Sequence, residues 1–251
     1  MTILEEYKNQ NNWRNWTSYI DRLPIKNNDI ILDLGCGVGY VTKLFSKKVL
    51  KVTGIDGNAH LLNEASLINN SDNIEYINHD LKTISEISLP LADGIWASFI
   101  AAYFPDFSSI LKNWLQLLKP GGWIAIVEIN DLFAHQPIST STYKGFKEFY
   151  RQQRSKKLYD YEMGSKIKDY LLGEDLEILN NECMCDVELA FNGPADRQIL
   201  QALENRLNRL TALQEFFGKE KYLNVKAEFL NCLANQNHYS TSEVNYIIAK
   251  K

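Results

Sequence analysis

Three glycines occupy alternate positions in the stretch DIILDLGCGVGYVT, residues 29–42, directly after a short apolar run. Gly35, Gly37 and Gly39 leave the backbone uncovered by side chains, so that a ligand can approach it closely. A dinucleotide loop would need a third glycine where the chain has Tyr40, and the Gly-Lys-Ser/Thr sequence of a P-loop does not follow. The loop therefore predicts a ligand held against the backbone, and it fits the pyrophosphate of a dinucleotide less well.

Carboxylates stand at the ends of the strand-like runs around this loop. Asp33 lies at the end of the run before the glycines, Asp56 ends the next run, and Asp80 follows the third. Parallel strands of a doubly wound sheet place their carboxyl ends at one edge, where such sheets bind ligands. We therefore expect the three carboxylates to surround the same site as the glycines.

The motif DLGCGVG resembles the first motif of class I S-adenosylmethionine-dependent methyltransferases, and VTGIDGN, YINHDL, ADGIWASFIAAYF and LKPGGW follow in that family's order. The resemblance covers roughly residues 25 to 130, about half the chain. It implies S-adenosyl-L-methionine as cofactor and S-adenosyl-L-homocysteine as product. Because this cofactor carries no phosphate, carboxylates can stand where they would repel a nucleotide. The chain is most similar to the group that methylates quinones, acids and natural products.

The resemblance also implies roles for individual residues. Asp56 would accept hydrogen bonds from the ribose hydroxyls, Asp80 and the Leu81 N–H would meet the adenine, and the carbonyl near Ser98 would meet the ammonium group. The implied cofactor-binding residues are Asp33, Gly35, Cys36, Gly37, Gly39, Asp56, Gly57, Asp80, Leu81 and Ser98.

Strand-like and helix-like runs alternate through the first half of the chain. After a helical run at 4–20, the strand-like runs are IILDL (30–34), KVTGID (51–56), IEYI (74–77), DGIWAS (93–98) and WIAIVEI (123–129), with helical runs at 40–48, 58–69 and 107–118. LKPGG (118–122) predicts a sharp turn before the fifth strand. The pattern predicts an α/β fold with a doubly wound, mostly parallel sheet, Rossmann-like and of the methyltransferase type.

The second half of the chain departs from this alternation. Two late strands, at 176–190 and in EVNYIIAKK, would complete a seven-stranded sheet. Residues 195–217 are helical, with a leucine-rich face. We expect one methyltransferase domain over 1–251, with a helical segment at 1–24 and a helical cap, at 131–172 and 195–235, over the acceptor pocket.

The methyl acceptor would bind between the sheet and this cap. Aromatic residues suit a flat or partly apolar molecule, and the candidate pocket residues are Trp13, Trp16, Tyr103, Phe104 and Tyr143. His135 lies seven residues beyond Glu128, in a loop expected over the site, and could act as the catalytic base. Alternatively, His135 packs inside the cap, and the aromatic residues join the cap to the sheet.

Composition narrows the classes of partner. The net charge of −4 and the pI of about 5.7 disfavour nucleic acid, and no proline pair of the type found in amino-base methyltransferases follows the fourth strand. No apolar run is long enough to span a membrane. Four cysteines without metal-like spacing predict reduced thiols, no metal site and a cytoplasmic location.

The sequence thus predicts an enzyme that methylates an oxygen or nitrogen of a small molecule. A nicotinamide-dependent oxidoreductase with the same sheet is an alternative, which Tyr40 and Asp80 disfavour. A second alternative is a non-catalytic protein that binds S-adenosylmethionine and uses an exposed helix at 195–217 as a partner surface.

Overall fold

A computed structural model describes residues 3–251, so residues 1 and 2 of the predicted N-terminal segment lie outside the description. The strands are β1 (Ile30–Leu34), β2 (Lys51–Asp56), β3 (Ile74–Asn78), β4 (Ala92–Ser98), β5 (Leu118–Asn130), β6 (His135–Gln136), β7 (Glu177–Met184), β8 (Tyr239–Ser240) and β9 (Glu243–Lys250). Seven of them form one sheet in the order β3-β2-β1-β4-β5-β9-β7, and β6 pairs with β8. Strands β1 to β5 are parallel, and β9 runs antiparallel between β5 and β7. The predicted seven-stranded, mostly parallel sheet is confirmed.

Ten helices flank the sheets within the described residues. They are α1 (Ile3–Trp13), α2 (Trp16–Ile20), α3 (Tyr40–Ser46), α4 (Ala59–Ile68), α5 (Phe107–Gln116), α6 (Thr140–Ser155), α7 (Ile167–Leu172), α8 (Arg197–Arg209), α9 (Thr211–Phe217) and α10 (Lys219–Leu233). Two short 3₁₀ turns lie at Ile84–Glu86 and Ala101–Tyr103. No helix in this described part is both long and apolar enough to cross a membrane.

Both faces of the sheet are covered because its strands are apolar on both sides. Alternate residues of β4 point to opposite faces, so Trp96 packs on Phe45 and Tyr246 at ring distances of 5.7 and 5.9 Å, whereas Ile95 joins the cluster around Trp114. The Trp96 cluster continues into aromatic residues of the second half. Two hydrophobic clusters therefore sandwich the sheet.

The strand register positions the site. Leu34 pairs with Ile55 of β2 and with Ala97 of β4, so the loops after these three strands start at one level. Strand order reverses between β1 and β4, and the loops on either side of this point diverge. A crevice is therefore expected here, above the carboxyl ends of the strands.

The N-terminal helical run is divided in the structure. Instead of one helix over 4–20, α1 ends at Trp13 and α2 starts at Trp16. The Asn15 side chain caps α2 by accepting from the Ser18 N–H at 3.3 Å, and Arg14 is held by Asp186 at 2.6 Å. A local cap and a long-range ion pair thus stabilise the break.

The late elements are also shorter than predicted. The strand expected over 176–190 ends at Met184, because Asp186 accepts the N–H groups of Glu188 and Leu189 and turns the chain. The helix expected over 195–217 is interrupted at Leu210, whose ψ of 69° is not helical. Strand β5, by contrast, is longer than predicted: it begins at Leu118 and includes the expected turn at 118–122, since Leu118 already pairs with Ala92.

The leucine-rich face of 195–217 is not exposed. Its apolar side chains are buried in the cluster that contains Trp96, namely Ile199, Leu203, Leu207 and Leu213. The partner surface that a non-catalytic protein would need at this face is therefore absent from it.

Candidate functional site

The glycine loop forms one wall of a large cavity. Gly35 and Gly37 have φ of 74° and 53°, in the left-handed region that side chains disfavour. A Cβ on Gly35 would lie 2.8 Å from Ile100, whereas a Cβ on Gly37 would meet no protein atom within 4 Å. Gly37 therefore borders open space, and its missing side chain leaves room for a ligand.

Two carboxylates of the cavity wall lie at the end of β2 and just after β3. Asp56 accepts the Gly37 N–H at 2.9 Å through one oxygen and the Asn58 N–H at 2.8 Å through the other. Each oxygen keeps a second lone pair, so Asp56 can also accept two hydroxyl groups. Asp80 accepts the Lys82 N–H at 2.9 Å through Oδ1, and the residue lines the same cavity.

Asp33 is a buried member of this wall. Its carboxylate accepts the Thr42 hydroxyl at 2.5 Å. Burial raises the pKa of Asp33 to about 7, against the lowering effect of the Thr42 hydrogen bond. A cation bound beside Asp33 would favour its ionised form.

The cavity measures about 1320 Å³, above the roughly 300–1,000 Å³ typical of small-molecule pockets. The predicted cofactor residues in its wall are Asp33, Gly35, Cys36, Gly37, Asp56, Gly57, Asp80, Leu81 and Ser98, and the predicted acceptor residues are Trp16, Tyr103 and Phe104.

Three predicted site residues lie elsewhere. Gly39 starts α3 with φ of 74°, and a Cβ there would overlap the Tyr76 hydroxyl, so this glycine serves packing. Trp13 packs against the hydrophobic cluster that contains Trp96. Tyr143 lies on α6 with the Lys147 ammonium 5.9 Å from its ring centre. These three residues are not among those that line the cavity, and their roles at the site stay predictions.

Several tyrosines also line the cavity, among them Tyr103, Tyr159 and Tyr161. Tyr103 meets Tyr159 edge-to-face at a ring distance of 4.9 Å, and Tyr159 lies 4.5 Å from Tyr161. Burial raises the pKa of Tyr103 to about 12, so its hydroxyl stays protonated at neutral pH. Tyr159 and Tyr161 were not among the individual pocket residues predicted, although the aromatic-rich segment that contains them, 141–164, was expected to help form the acceptor pocket.

An ion-pair network closes the far side of the cavity. Arg14 contacts Asp186 and Glu188, each at 2.6 Å, and Arg206 of α8 contacts the other oxygen of Glu188 at 2.7 Å. Arg209 pairs with Glu6 of α1 at 2.7 Å. The pair of Glu6 and Arg209 thereby joins helices α1 and α8. These charged residues were not predicted from the sequence as part of the site.

His135 does not line the cavity, and its predicted role as the base is not supported. The side chain is 1% exposed, and its Nδ1 lies 2.9 Å from Nε2 of His238, whose Nδ1 lies 2.7 Å from the Gly193 carbonyl oxygen. A carbonyl only accepts, so the neutral His238 donates to Gly193 and accepts from His135. The pair joins distant loops instead of serving a substrate.

Replacing His135 with asparagine is expected to lower the free energy of unfolding by about 1–3 kcal/mol near neutral pH, because a buried hydrogen bond is lost. Burial, followed by the neighbouring His238, lowers the pKa of His135 to about 3. Below about pH 6.5, His135 binds a proton in the unfolded chain but stays neutral in the folded chain. The free energy of unfolding of the wild type, relative to that of the variant, therefore falls by about 1.4 kcal/mol for each pH unit. Urea titrations at several pH values measure the difference. A constant difference between the two proteins would contradict the buried neutral pair.

Glu128 supports the tyrosine wall from behind. Its Oε2 accepts the Ala102 N–H at 3.0 Å, and its Oε1 accepts the Ile129 N–H at 2.9 Å. The first bond holds the 3₁₀ turn that carries Tyr103. Glu128 is fully buried and outside the cavity wall, so it positions the turn and does not face a ligand.

Glu128→Gln should change stability with the opposite pH dependence. Burial raises the pKa of Glu128 to about 7, so the folded chain keeps this carboxyl protonated at pH values where the unfolded chain has released the proton. The resulting contribution to stability is fully present below about pH 4.5 and is lost as the pH rises toward 7. We expect the free energy of unfolding of the variant, relative to that of the wild type, to rise by about 1.4 kcal/mol for each pH unit across that window. Urea unfolding at several pH values measures this difference. If the free energies of unfolding of the two proteins changed equally with pH, the raised pKa of Glu128 would be contradicted.

Comparisons with known proteins agree with this geometry. Residues 32–126 match a family model described as a methyltransferase domain. A ubiquinone biosynthesis O-methyltransferase from Paracidovorax citrulli is 30% identical over 115 residues, which are 45% of this chain and 48% of that protein. A trans-aconitate 2-methyltransferase from Azoarcus sp. is 31% identical over 107 residues, 42% of this chain and 41% of that protein.

The chain thus spans about half the length, or less, of these curated relatives. A crystal structure from Bacillus halodurans C-125, named as that of a candidate methyltransferase, superposes with a TM-score of 0.65 at 18% identity. It covers 94% of this chain and 98% of the other. At this identity the likeness shows the fold, and it extends over nearly the whole chain.

Proposed function

We propose that this chain, a member of the class I S-adenosylmethionine-dependent methyltransferases, moves a methyl group from S-adenosyl-L-methionine to an oxygen or nitrogen of a small molecule. The observation that carries the proposal is the shared wall of one cavity. Gly37 leaves open space there, and Asp56 and Asp80 stand beside it at the ends of neighbouring strands.

The chemistry of this wall fits the cofactor. Asp56 keeps one lone pair on each oxygen for the ribose diol, and Asp80 has Oδ2 for the adenine amino group. The backbone at Gly35 and Gly37 would receive the methionine end. The nearby Asp33 would favour the cationic ammonium and sulfonium groups. Nicotinamide dinucleotides would bring their pyrophosphate toward these carboxylates, which repel it.

The protein's contribution to methyl transfer is mainly positional. When bound, the cofactor supplies an activated methyl on a sulfonium with a good leaving group. The wall that contains Tyr103, Tyr159 and Tyr161 would hold the acceptor in line with the sulfur and exclude water. Because His135 lies outside the cavity, an acceptor that needs deprotonation would lose its proton to solvent or to another residue of the wall.

The size of the cavity and the names of the relatives support a small acceptor. The matched proteins are named as methyltransferases of ubiquinone biosynthesis and of trans-aconitate, and the volume of about 1320 Å³ leaves space beside a cofactor. The proposal includes a cytoplasmic location, which the four free cysteines support.

Isothermal titration with S-adenosylmethionine, S-adenosylhomocysteine and NADPH tests the cofactor directly. We expect the first two to bind with micromolar affinity and the third not to bind. Binding of NADPH alone would overturn the proposal and restore the oxidoreductase alternative. A subsequent screen with a labelled methyl group, over phenols, acids and amines, tests transfer.

A further inference from the structure

Both tyrosines and cationic side chains line the cavity, and the cations are Arg14, Lys82, Arg206 and Arg209. Arg206 projects from α8, and Tyr7, Tyr103, Tyr159 and Tyr161 line the same cavity. The Arg206 side chain is 26% exposed, and its Nη2 contacts Oε1 of Glu188 at 2.7 Å. A guanidinium carries several donors in a planar fork, so Nε and Nη1 remain for a ligand.

Carboxylates near Arg206 are already engaged. Glu188 accepts from Arg14, from Arg206 and from the Gln10 amide at 2.8 Å, and one oxygen of Glu6 is bound by Arg209. Both oxygens of Glu188 are therefore occupied, whereas Oε2 of Glu6 has no hydrogen-bond partner among the described residues. The donors of Arg206 that do not contact Glu188 are the ones that a bound molecule can reach.

The tyrosine hydroxyls add neutral donors. Burial raises the pKa of all four, while the nearby charge of Arg206 opposes this rise. They therefore remain protonated at neutral pH and can each donate a hydrogen bond. The structure assigns none of the four hydroxyls a protein partner within residues 3–251. A ligand with several lone pairs would satisfy them together with Arg206.

We infer that this chain's methyl acceptor carries an anionic group, a carboxylate or a phosphate, that Arg206 binds together with the hydroxyls of Tyr103, Tyr159 and Tyr161. The inference rests on the proposed function, since it assigns the acceptor half of the same cavity. Tyrosine rings could also surround a cationic amine, but the like charge of Arg206 disfavours one. A neutral alcohol would offer no anionic acceptor to the Arg206 donors that do not contact Glu188.

Four probes of one shape separate these possibilities: 3-phenylpropanoate, 3-phenylpropyl phosphate, 3-phenylpropan-1-ol and 3-phenylpropan-1-amine. Each is titrated calorimetrically into the full chain saturated with S-adenosylhomocysteine. We expect at least one anion to bind about tenfold or more tightly than the alcohol, with the amine weakest. The tighter of the two anions identifies the group as carboxylate or phosphate. Equal affinity of alcohol and anions would overturn the inference.

Arg206→Gln then tests the residue. Glu188 keeps Arg14 and Gln10 in this variant, so the network is not left with an unpaired carboxylate. We expect the affinity for the preferred anion to fall about tenfold, with unchanged affinities for the alcohol and for S-adenosylhomocysteine. Arg206→Lys should be intermediate, because it keeps the charge without the fork. Arg197→Gln removes an exposed arginine from the same helix and should behave as the wild type.

Uniform weakening of all ligands by Arg206→Gln would show a structural role and overturn the inference. Repeating the probe titrations without S-adenosylhomocysteine keeps the two proposals separate. A chain that fails to bind S-adenosylhomocysteine but prefers the anions through Arg206 would overturn the cofactor assignment alone. A chain that binds S-adenosylhomocysteine and shows no anion preference would overturn only the anion subsite.

Discussion

Replacement of Asp56 by alanine is expected to weaken S-adenosylmethionine binding at least about tenfold, because two charge-assisted hydrogen bonds to the ribose would be lost. The same substitution also releases the Gly37 N–H, which Asp56 accepts at 2.9 Å. The loop would then lose part of its support as well as a ligand contact. Titration calorimetry measures the dissociation constant, and thermal unfolding measures whether the fold persists.

Asp72→Ala is the matched control for Asp56→Ala. Asp72 is exposed, precedes β3 and does not line the cavity, so its loss changes the net charge equally and should leave affinity unchanged. Asp56→Asn keeps the shape but weakens the acceptor, and we expect an intermediate affinity. A dissociation constant that is the same in Asp56→Ala and the wild type would remove Asp56 from the site.

Gly37→Ala should abolish most of the cofactor affinity at a small cost in stability. Its φ of 53° strains any other residue, which costs roughly 1–2 kcal/mol. The added methyl would meet no protein atom within 4 Å, so the folded chain accommodates it. It would instead occupy the space in which the methionine end is expected, and we expect affinity to fall at least about tenfold through this overlap.

Gly121→Ala provides the control for backbone strain alone. Gly121 has φ of 78° and likewise no protein atom within 4 Å of an added Cβ, but it lies in the turn region of β5, away from the cavity. Urea unfolding should give similar losses for the two variants, while calorimetry should give weakened binding for Gly37→Ala only. Parallel binding losses in both variants would mean that the loop responds to strain and not to a filled site.

Much of the fold could be predicted because its signals are local. The strand-like runs at 30–34 and 51–56 coincide with β1 and β2, since buried parallel strands need short, nearly continuous apolar segments. The helical run expected at 58–69 became α4, with Asn58 as its cap. The signals for strand ends, helix caps and left-handed glycines lie within a few residues of the feature itself, so they can be recognised in the sequence.

The candidate site was only partly predictable, because only some of its residues are positioned by local signals. The residues expected around the cofactor follow strands directly, so the register of the sheet brings Asp56 and Asp80 together with the glycine loop. The acceptor wall is assembled from segments far apart in the chain. Arg206 of α8 contacts Glu188. The leucines of this helix predicted its buried face, but no local pattern indicated that its arginine would line the cavity.

The sequence by itself determined the parallel sheet, the order of its motifs and the residues at the strand ends. Tertiary structure alone decided that His135 is paired with His238, 103 residues away, and that Trp13 packs on the core while Tyr159 and Arg206 face the cavity. Helix caps and tight turns are set by residues a few positions apart, and the alternation of apolar runs that marks strands is likewise local. The direction of a side chain on a packed helix is set by distant surfaces that bury it, and no local period records those surfaces.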